Sequence, residues 1–514
     1  IGTLQGANNS LDTISVQADE DITVNGSNTT ALINGSSGQS DVVSLQFGGE
    51  GDAALGTLDT STGFVSQIDV TAEGSGDHSF TFSDQGDLAG ETESSGITIG
   101  GGGTGSVTVS AAAAELNEAT DGLIIDGTGF NGAAIVEATG DNAIEATQFS
   151  GIDTLDVNSS SFADTISNLA AATTVKVSDD ADVTLDDDAN ERDVQLANGT
   201  VTDVDGGDTE TLNLETANDG TAVTLTNVNG GSVGGLRTLN VDASDGDFAT
   251  TNDYTTFAGS AGDRAFTINV TGNDDFQLGN TADTAGLTIG SDVDNVNLTA
   301  NGEGARSFGT VDVSGVSTGG SITFSGDSDI NSDSGNATDD FELALGGPAD
   351  AITVNLNSDG DITLDEISSD GNAGTASLTG DLTINSESSD GSGTNTINGS
   401  GLVAVNNQTL EITGNQDLDI GDAFGVADTT DSTTVNEATV DASSFTGVLT
   451  ADLSNVVSLA SSGSNSNASA NHAVTLGTGD ADIGLGSLGS NERENTSSTV
   501  TVDASFDFVF DGND

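Results

Sequence analysis

Aspartates grouped in short loops are the residues of this sequence with the clearest capacity for chemistry. Ca²⁺ takes about six to eight oxygen ligands, and carboxylates, amide oxygens and backbone carbonyls in a flexible loop supply them. Carboxylates held close together also repel one another unless a cation lies between them. The sequence therefore predicts calcium sites in these loops. The candidate ligands are Asp179, Asp180, Asp182, Asp186, Asp188, Asp242, Asp245, Asp247, Asp274, Asp275, Asp327, Asp329, Asp339, Asp340, Asp350, Asn357, Asp359, Asp361, Asp480 and Asp482.

Two of the loops carry a regular spacing of oxygen-bearing side chains. Residues 242–247 have the pattern Asp-x-Ser-Asp-Gly-Asp, and residues 357–361 have the pattern Asn-x-Asp-Gly-Asp. This spacing resembles part of an EF-hand calcium loop but lacks its distal glutamate. Asp and Asn are also ordinary turn residues, because their side chains hydrogen-bond the nearby backbone. A solvated acidic turn is therefore the alternative to a metal site in each loop.

The net charge of the chain is a second reason to expect bound cations. The 514 residues include 83 Asp and Glu, of which 63 are Asp, against 6 Lys and Arg, so the formal net charge is -77. A compact chain with this charge repels itself. Either bound Ca²⁺ offsets the repulsion, or abundant salt screens it. Calcium is the cofactor that we predict.

Several classes of function are excluded by what the sequence lacks. Six cations are too few to neutralise a nucleic acid backbone, and the absence of cysteine excludes a thiol enzyme, a disulfide scaffold and a Cys-ligated metal site. No apolar run approaches about 18 residues, so no membrane-spanning helix is predicted. The two histidines, His78 and His472, stand in no supporting motif. We therefore predict no catalytic residue and no enzyme activity.

Strict alternation of apolar and polar residues predicts the elements that position the acidic loops. Residues 266–270 and 352–356 show it clearly, with a large apolar residue at every second position. A period of two is typical of β-strands, and such segments recur between clusters of Gly, Asp, Asn and Ser. Helix signals are confined to residues 110–120 and 161–171. The sequence therefore predicts an all-β protein.

Short motifs recur along the chain at irregular spacing. Val-Asp-Ala-Ser begins at residues 241, 440 and 502, and a Thr-Leu-x-aliphatic motif begins at residues 154, 211, 238 and 409. Reuse of one strand-and-turn unit is typical of a β-solenoid and also of small β-sandwiches in series. We predict an elongated all-β fold with several subdomains, β-solenoid/β-helix-like or built of tandem β-sandwich units, with calcium-stabilised loops. Its predicted parts are an N-terminal β-domain (1–105), a mixed segment with a short helix (106–150) and two β-rich repeat regions (151–345 and 346–514).

The segments around these motifs resemble a known family. ETLNLETANDGTAVTLTNV (residues 210–228), RTLNVDASDGDF (237–248) and ATVDASSFTGVLTADLSN (438–455) are similar to bacterial S-layer proteins of the Caulobacter type, within the calcium-binding, type I-secreted RTX-like surface proteins. The resemblance covers roughly residues 151–514. It implies an elongated, β-rich subunit that assembles into a Ca²⁺-dependent two-dimensional lattice at the cell surface.

The chain departs from the RTX pattern in its glycine-rich repeat. That repeat is the nonapeptide Gly-Gly-x-Gly-x-Asp-x-apolar-x, in which aspartates and carbonyls from successive coils enclose Ca²⁺. Only fragments of it occur here, at residues 151–155, 272–276, 346–352 and 477–483. A regular RTX β-roll is therefore not expected within this chain.

These observations together predict a structural extracellular protein. The first interpretation is a calcium-dependent subunit of a self-assembling S-layer, a homo-oligomer with a cell-surface glycan or lipopolysaccharide as its anchor, and with no nucleic acid partner. The alternatives are a subunit of an extracellular filament or an RTX-like adhesin. A third is an exported β-helix enzyme that acts on polysaccharides.

Overall fold

A computed structural model gives the fold of the chain. Contacts within the chain divide it into two compact units, Ile1–Val223 and Thr224–Asp514. The described residues are 13–24, 41–59, 65–83, 96–117, 123–178, 181–186, 191–197, 200–205, 211–216, 223–229, 237–250, 254–257, 265–278, 285–289, 293–313, 316–330, 342–345, 351–368, 377–378, 381–389, 391–398, 402–404, 408–421, 424–426, 438–452, 470–484 and 498–503.

The chain is an all-β parallel β-solenoid with almost no helix. This confirms the predicted all-β fold class and selects the solenoid over tandem sandwiches. A β-sandwich is built of antiparallel strands, whereas each strand here pairs in parallel with a strand of the next coil. Each coil is itself the crossover connection that parallel strands require.

The first unit contains strands β1 to β19. Their bounds are β1 Thr13–Gln17, β2 Ile22–Val24, β3 Asp41–Gly48, β4 Ala53–Asp59, β5 Val65–Ala72, β6 His78–Ser83, β7 Gly96–Gly101, β8 Ser106–Ala112, β9 Ile124–Phe130, β10 Ala133–Thr139, β11 Ile144–Glu145, β12 Phe149–Ser150, β13 Thr154–Asn158, β14 Ala163–Ser167, β15 Thr174–Ser178, β16 Asp182–Asp186, β17 Glu191–Leu196, β18 Thr200–Asp205 and β19 Thr211–Thr216. Strands β2, β4, β6, β8, β10, β13, β15, β17 and β19 pair in that order, and we call them the first ladder.

Two further parallel sheets complete the coils of the first unit. Strands β1, β3, β5, β7, β9 and β12 form one of them, and β11, β14, β16 and β18 belong to the other. A short helix, α1 (Ala113–Leu116), and a 3₁₀ turn (Ala146–Gln148) lie in the part of the unit where the first of these sheets gives way to the second.

Strand β20 (Val223–Asn229) begins on the last residue of the first unit, and β21 to β46 follow in the second. Their bounds are β21 Thr238–Ala243, β22 Phe248–Thr250, β23 Tyr254–Phe257, β24 Ala265–Gly272, β25 Phe276–Gln277, β26 Ala285–Ile289, β27 Val293–Ala300, β28 Arg306–Ser307, β29 Thr310–Asp312, β30 Val316–Gly326, β31 Glu342–Ala344, β32 Ile352–Ser358, β33 Thr363–Leu364, β34 Glu366–Ser368, β35 Ser377–Leu378, β36 Leu382–Ser386, β37 Thr394–Ile397, β38 Leu402–Ala404, β39 Gln408–Gly414, β40 Asp417–Ile420, β41 Phe424–Val426, β42 Ala438–Ala442, β43 Leu449–Asp452, β44 Ala470–Leu476, β45 Ala481–Gly484 and β46 Ser498–Asp503.

A second long ladder runs through this unit. Strands β21, β24, β27, β30, β32, β36, β39, β42, β44 and β46 pair in that order, and we call them the second ladder. Smaller parallel sheets line the other sides of the coils. One of them, which we call the side sheet, consists of β33, β37, β40, β43 and β45.

The core of the second unit consists of apolar side chains stacked rung upon rung. Leu239, Ile268, Leu298, Phe324 and Leu356 form one column in register, and all five are fully buried. Parallel strands in register place the inward row of each coil directly on that of the next, which is why the apolar residues alternate so strictly. Each such side chain stabilises the fold by about 1.5–3 kcal/mol.

The irregular spacing of the sequence motifs reflects coils of unequal length. Val175 pairs with Leu155, which lies 20 residues earlier, and Val194 pairs with Val175 after 19 more. In the second unit, Ile268 and Leu298 are paired although 30 residues separate them. The register is kept because only the inward row must match, while the connections between strands vary.

Glycine is required where the coils approach most closely. Gly302 lies in the turn after β27, and Gly326 ends β30. Both have a positive φ, at 107° and 129°. A Cβ atom on Gly302 would lie 1.8 Å from the carbonyl oxygen of Gly272 in the preceding coil. No other residue type fits these positions without separating the coils.

The two predicted helices have different outcomes. Helix α1 (Ala113–Leu116) lies within the predicted range of 110–120 but is only one turn long. The prediction for residues 161–171 is wrong, because β14 occupies this segment and Ile166 pairs there with Leu185 of the next coil. Pairing within the solenoid outweighs the weak local preference for helix. In the described residues, no helix is long and apolar enough to cross a membrane.

Candidate functional site

Aspartates in the turns of the first unit bind the backbone of the following coil. The turns before β4, β6 and β8 lie one above the other. The backbone N–H of Asp52 donates to Asp21 Oδ1 (3.2 Å), that of Asp77 donates to Asp52 Oδ1 (2.8 Å), and that of Ser106 donates to Asp77 Oδ1 (2.7 Å). One carboxylate in each coil thus accepts from a backbone N–H at or next to the start of a strand in the following coil.

The same arrangement recurs in the second unit, in the turns that leave the second ladder. Asp247 Oδ1 accepts from the N–H of Asp275 (3.0 Å), and Asp275 Oδ1 accepts from that of Ala305 (2.8 Å). Two coils further on, Asp329 Oδ1 accepts from the N–H of Asp361 (3.0 Å). Bonds from an N–H to a carboxylate are stronger than those between neutral groups, so these aspartates stabilise the stacking of turns whether or not a cation is also bound.

The structure distributes the predicted calcium ligands along the turns instead of gathering them. The pairs Asp247 and Asp275, and Asp329 and Asp361, are brought into contact through the backbone bonds just described. In the described parts of the chain, no three His, Asp or Glu side chains come close enough together to hold a metal ion. The calcium sites therefore stay a prediction.

The individual candidates fall into four groups. Those that are exposed are Asp245, Asp247, Asp275, Asp327, Asp329, Asp359, Asp361, Asp480 and Asp482. Those that are half-buried are Asp242, Asp274 and Asn357. Asp182 and Asp186 lie at the two ends of β16. The candidates outside the described residues are Asp179, Asp180, Asp188, Asp339, Asp340 and Asp350.

The outward surface of the side sheet carries two aspartates in one column, with a threonine between them. Asp419 pairs with Thr450 of the next coil, and Thr450 pairs with Asp482 of the coil after that. Two rungs of a sheet span roughly 9.6 Å, whereas two oxygens bound to one Ca²⁺ lie within about 5 Å of each other. Asp419 and Asp482 therefore do not form a compact site by themselves, and an ion bound at either one needs further ligands from water or from another molecule.

A buried arginine supplies a cation inside the turns of the second unit. Arg306 is fully buried, and its guanidinium donates to the carbonyl oxygens of Gly272 (2.6 Å), Asn301 (3.2 Å) and Asp274. Burial lowers the pKa of Arg306, while the carboxylates of Asp275, Asp274 and Asp327 oppose that shift. This side chain binds turn carbonyls of two successive coils, as a metal ion would.

Arg192 has the same role in the first unit. It is fully buried, and its guanidinium donates to the carbonyl oxygens of Ala170 (2.8 Å), Thr173 (2.8 Å) and Leu169 (3.1 Å). Sequence reasoning missed both arginines as internal cations. A signal was present, because Arg192 stands on the inward row of β17, two residues before the buried Val194.

Buried polar side chains continue this pattern in later coils of the second unit. Asn395 is fully buried, and its amide donates to Leu356 O (3.2 Å), Ser386 Oγ (3.0 Å) and Gln416 Oε1 (3.1 Å). Its own oxygen accepts from the N–H of Ile362 (3.0 Å). Buried amides of this kind satisfy backbone groups that the turns leave unpaired.

His78 is the buried titratable group of the first ladder. Its side chain is 2% exposed and stacks on Phe47, with ring centroids 4.7 Å apart. Burial lowers the pKa of His78, and the nearby carboxylates Asp52 and Asp77 act in the opposite direction. The folded protein therefore favours the neutral imidazole more strongly than the unfolded chain does.

The free energy of unfolding should accordingly fall as the pH is lowered from 7.5 to 5.5. Below pH 6.5, the ordinary pKa of histidine, the unfolded chain binds a proton at His78 that the folded chain resists, so acid favours unfolding. The His78→Phe variant keeps the ring stacking and should lose this part of the pH dependence. Urea unfolding of both proteins at several pH values measures it. His472 is present in both, and equal slopes would contradict the assignment to His78.

Comparison with known proteins identifies no relative of this chain. No family model, no curated protein and no solved structure matches it.

Proposed function

We propose that this chain is a calcium-dependent structural subunit of a self-assembling extracellular surface layer. The observation that carries the proposal is the pair of aspartates in one outward column of the side sheet, Asp419 and Asp482, which lie two rungs apart. Ca²⁺ bound there takes its remaining ligands from water or from a second molecule. A cation bridging two copies also offsets the repulsion between chains of charge -77.

The solenoid suits a structural role. Each coil packs on the next through a continuous apolar column, and buried arginine and asparagine side chains tie the turns together. Within the second unit, successive coils place outward side chains one rung apart, which suits a repeating contact between subunits. In this proposal the subunits form a lattice outside the cell, and a cell-surface glycan or lipopolysaccharide anchors it.

Electron microscopy of the purified protein tests this proposal. At constant ionic strength, we expect ordered sheets with millimolar Ca²⁺ and their loss with excess EGTA. The reason is that extracellular carboxylate sites bind Ca²⁺ with dissociation constants of roughly 10⁻⁴–10⁻³ M. The symmetry of the assembly distinguishes a lattice from a filament. Assemblies that survive EGTA but dissolve at low salt would contradict the calcium mechanism, and monomers in both conditions would contradict self-assembly.

A pair of matched variants locates the calcium sites. The double variant Asp419→Asn/Asp482→Asn should need a higher Ca²⁺ concentration to assemble. The control, Asp19→Asn/Asp141→Asn, removes the same charge from exposed positions in the first unit and should assemble as the unmodified protein does. If both variants need the same higher Ca²⁺ concentration, net charge alone causes the effect.

A further inference from the structure

One outward surface of the second unit carries no charge along its central column. Seven successive strands of the second ladder, β21 to β39, contribute one residue each to this column, and every one is Thr or Asn. Its middle members are Asn297, Thr323, Asn355 and Asn385. We call this column and the outward residues beside it on β24 to β36 the neutral face.

The side chains of the neutral face are tied to one another along the axis of the solenoid. Asn355 Nδ2 donates to Thr323 Oγ1 (3.1 Å), Asn385 Nδ2 donates to Asn355 Oδ1 (3.4 Å), and Thr413 Oγ1 donates to Asn385 Oδ1 (3.0 Å). In the neighbouring column, Asn269 Nδ2 donates to Asn240 Oδ1 (2.8 Å), and the hydroxyls of Thr299 and Ser325 share a hydrogen bond (3.0 Å). Side chains held in this way lose little entropy on binding.

Outward carboxylates lie on two other described surfaces. The side sheet carries Asp419 and Asp482, and the first ladder carries Glu137, Asp193 and Asp156, the last of which is paired with Lys176. Two copies of a chain with charge -77 repel each other wherever such surfaces meet. The central column itself carries no charge, and Glu387 and Glu411 accept from Asn385 and Thr383 only at one end of the neutral face. Two copies therefore meet there with less of that repulsion, and Asn ladders pack closely between stacked sheets.

We propose that a second copy of this chain docks on the neutral face, an inference that rests on the proposed function because it names a contact by which the subunits assemble. Seven rungs at about 4.8 Å and two or three columns at about 6.6 Å cover roughly 400 Å². A stable interface buries about 800 Å² on each partner. This contact is therefore too small to hold an isolated dimer, and it acts together with the calcium contacts of an array.

Single cysteines test the docking, since the chain has none of its own. Thr323→Cys places a thiol on the neutral face, and Thr108→Cys places one at a half-buried outward position of the first ladder. In Ca²⁺-assembled samples treated with a short bismaleimide, we expect a crosslinked dimer from Thr323→Cys and at least about tenfold less from Thr108→Cys. Equal yields from the two variants would overturn the inference.

A charge on the neutral face provides the second test. Thr323→Asp should raise the protein concentration needed for assembly by about tenfold or more, whereas Thr108→Asp should leave it unchanged, with circular dichroism melts confirming that both variants fold. If the unmodified protein assembles and Thr323→Asp assembles equally well, the neutral-face inference fails and the proposed function stands. If the unmodified protein never assembles, the proposed function itself fails.

A glycan is the other possible occupant of the neutral face. If dextran protects Thr323→Cys from a monofunctional maleimide and no crosslinked dimer forms, the face binds a glycan, and docking of a second copy is overturned.

Discussion

Replacing Arg306 by methionine should destabilise the second unit by about 3 kcal/mol or more, because three carbonyl oxygens lose their donor. The guanidinium donates to the carbonyl oxygens of Gly272, Asp274 and Asn301, and methionine has no donor to replace it. Each unsatisfied buried acceptor costs about 1–3 kcal/mol. The loss should appear as a lower urea midpoint when unfolding is followed by circular dichroism.

The matched control for this variant is Arg237→Met. It removes the same positive charge from an exposed residue of the second unit, so the comparison separates the loss of a buried guanidinium from the loss of an exposed one. Limited proteolysis should cut the Arg306→Met protein earliest near residues 272–306, because stability in a solenoid depends on contacts between neighbouring coils. Identical midpoints for the two variants would show that the internal guanidinium is dispensable.

Replacing Gly326 by alanine should cost about 4 kcal/mol or more, which is among the largest effects expected of a single substitution. Gly326 has a φ of 129°, a region that residues with a Cβ atom rarely adopt. The added Cβ would lie 1.7 Å from the carbonyl oxygen of Ala300 in the preceding coil. The two coils must separate to admit it, and the pairing of β27 with β30 is then disrupted.

Gly96→Ala is the control for this substitution. A Cβ atom on Gly96, at the start of β7, meets nothing within 4 Å, so the change should lie within about 0.5 kcal/mol of neutral. Hydrogen exchange of the β27 and β30 amides measures the local opening in Gly326→Ala. Unchanged protection of those amides would mean that the backbone accommodates the methyl group.

Local pattern was sufficient to predict the strands but not how they are arranged. The alternation at residues 266–270 and 352–356 predicts β24 and β32, because a period of two leaves an apolar row that must be buried. The same alternation suits a sandwich and a solenoid. Parallel pairing of Leu298 with Ile268, 30 residues away, distinguishes the two. That partner is chosen by the stacking of whole coils, which no short stretch of sequence contains.

The acidic turns show a similar division. Composition predicts that Asp accumulates in turns, and the structure places Asp52, Asp77 and Asp275 there. Their bonding to the N–H of the following coil depends on which turns lie one above the other, so spacing within one loop could not predict it. The internal cation Arg306 was equally hidden, because its ligands come from Gly272 and Asp274 in another coil.

By itself, the sequence determined the all-β class, the strong negative charge and the apolar rows of the strands, since composition and period are properties of neighbouring residues. Only the tertiary structure decided that these strands stack in parallel coils, that Arg192 and Arg306 point inward, and that Thr323, Asn355 and Asn385 form one uncharged column. The physical reason is that register between coils depends on contacts between residues 19 or more positions apart, and a column exists only after that register is set.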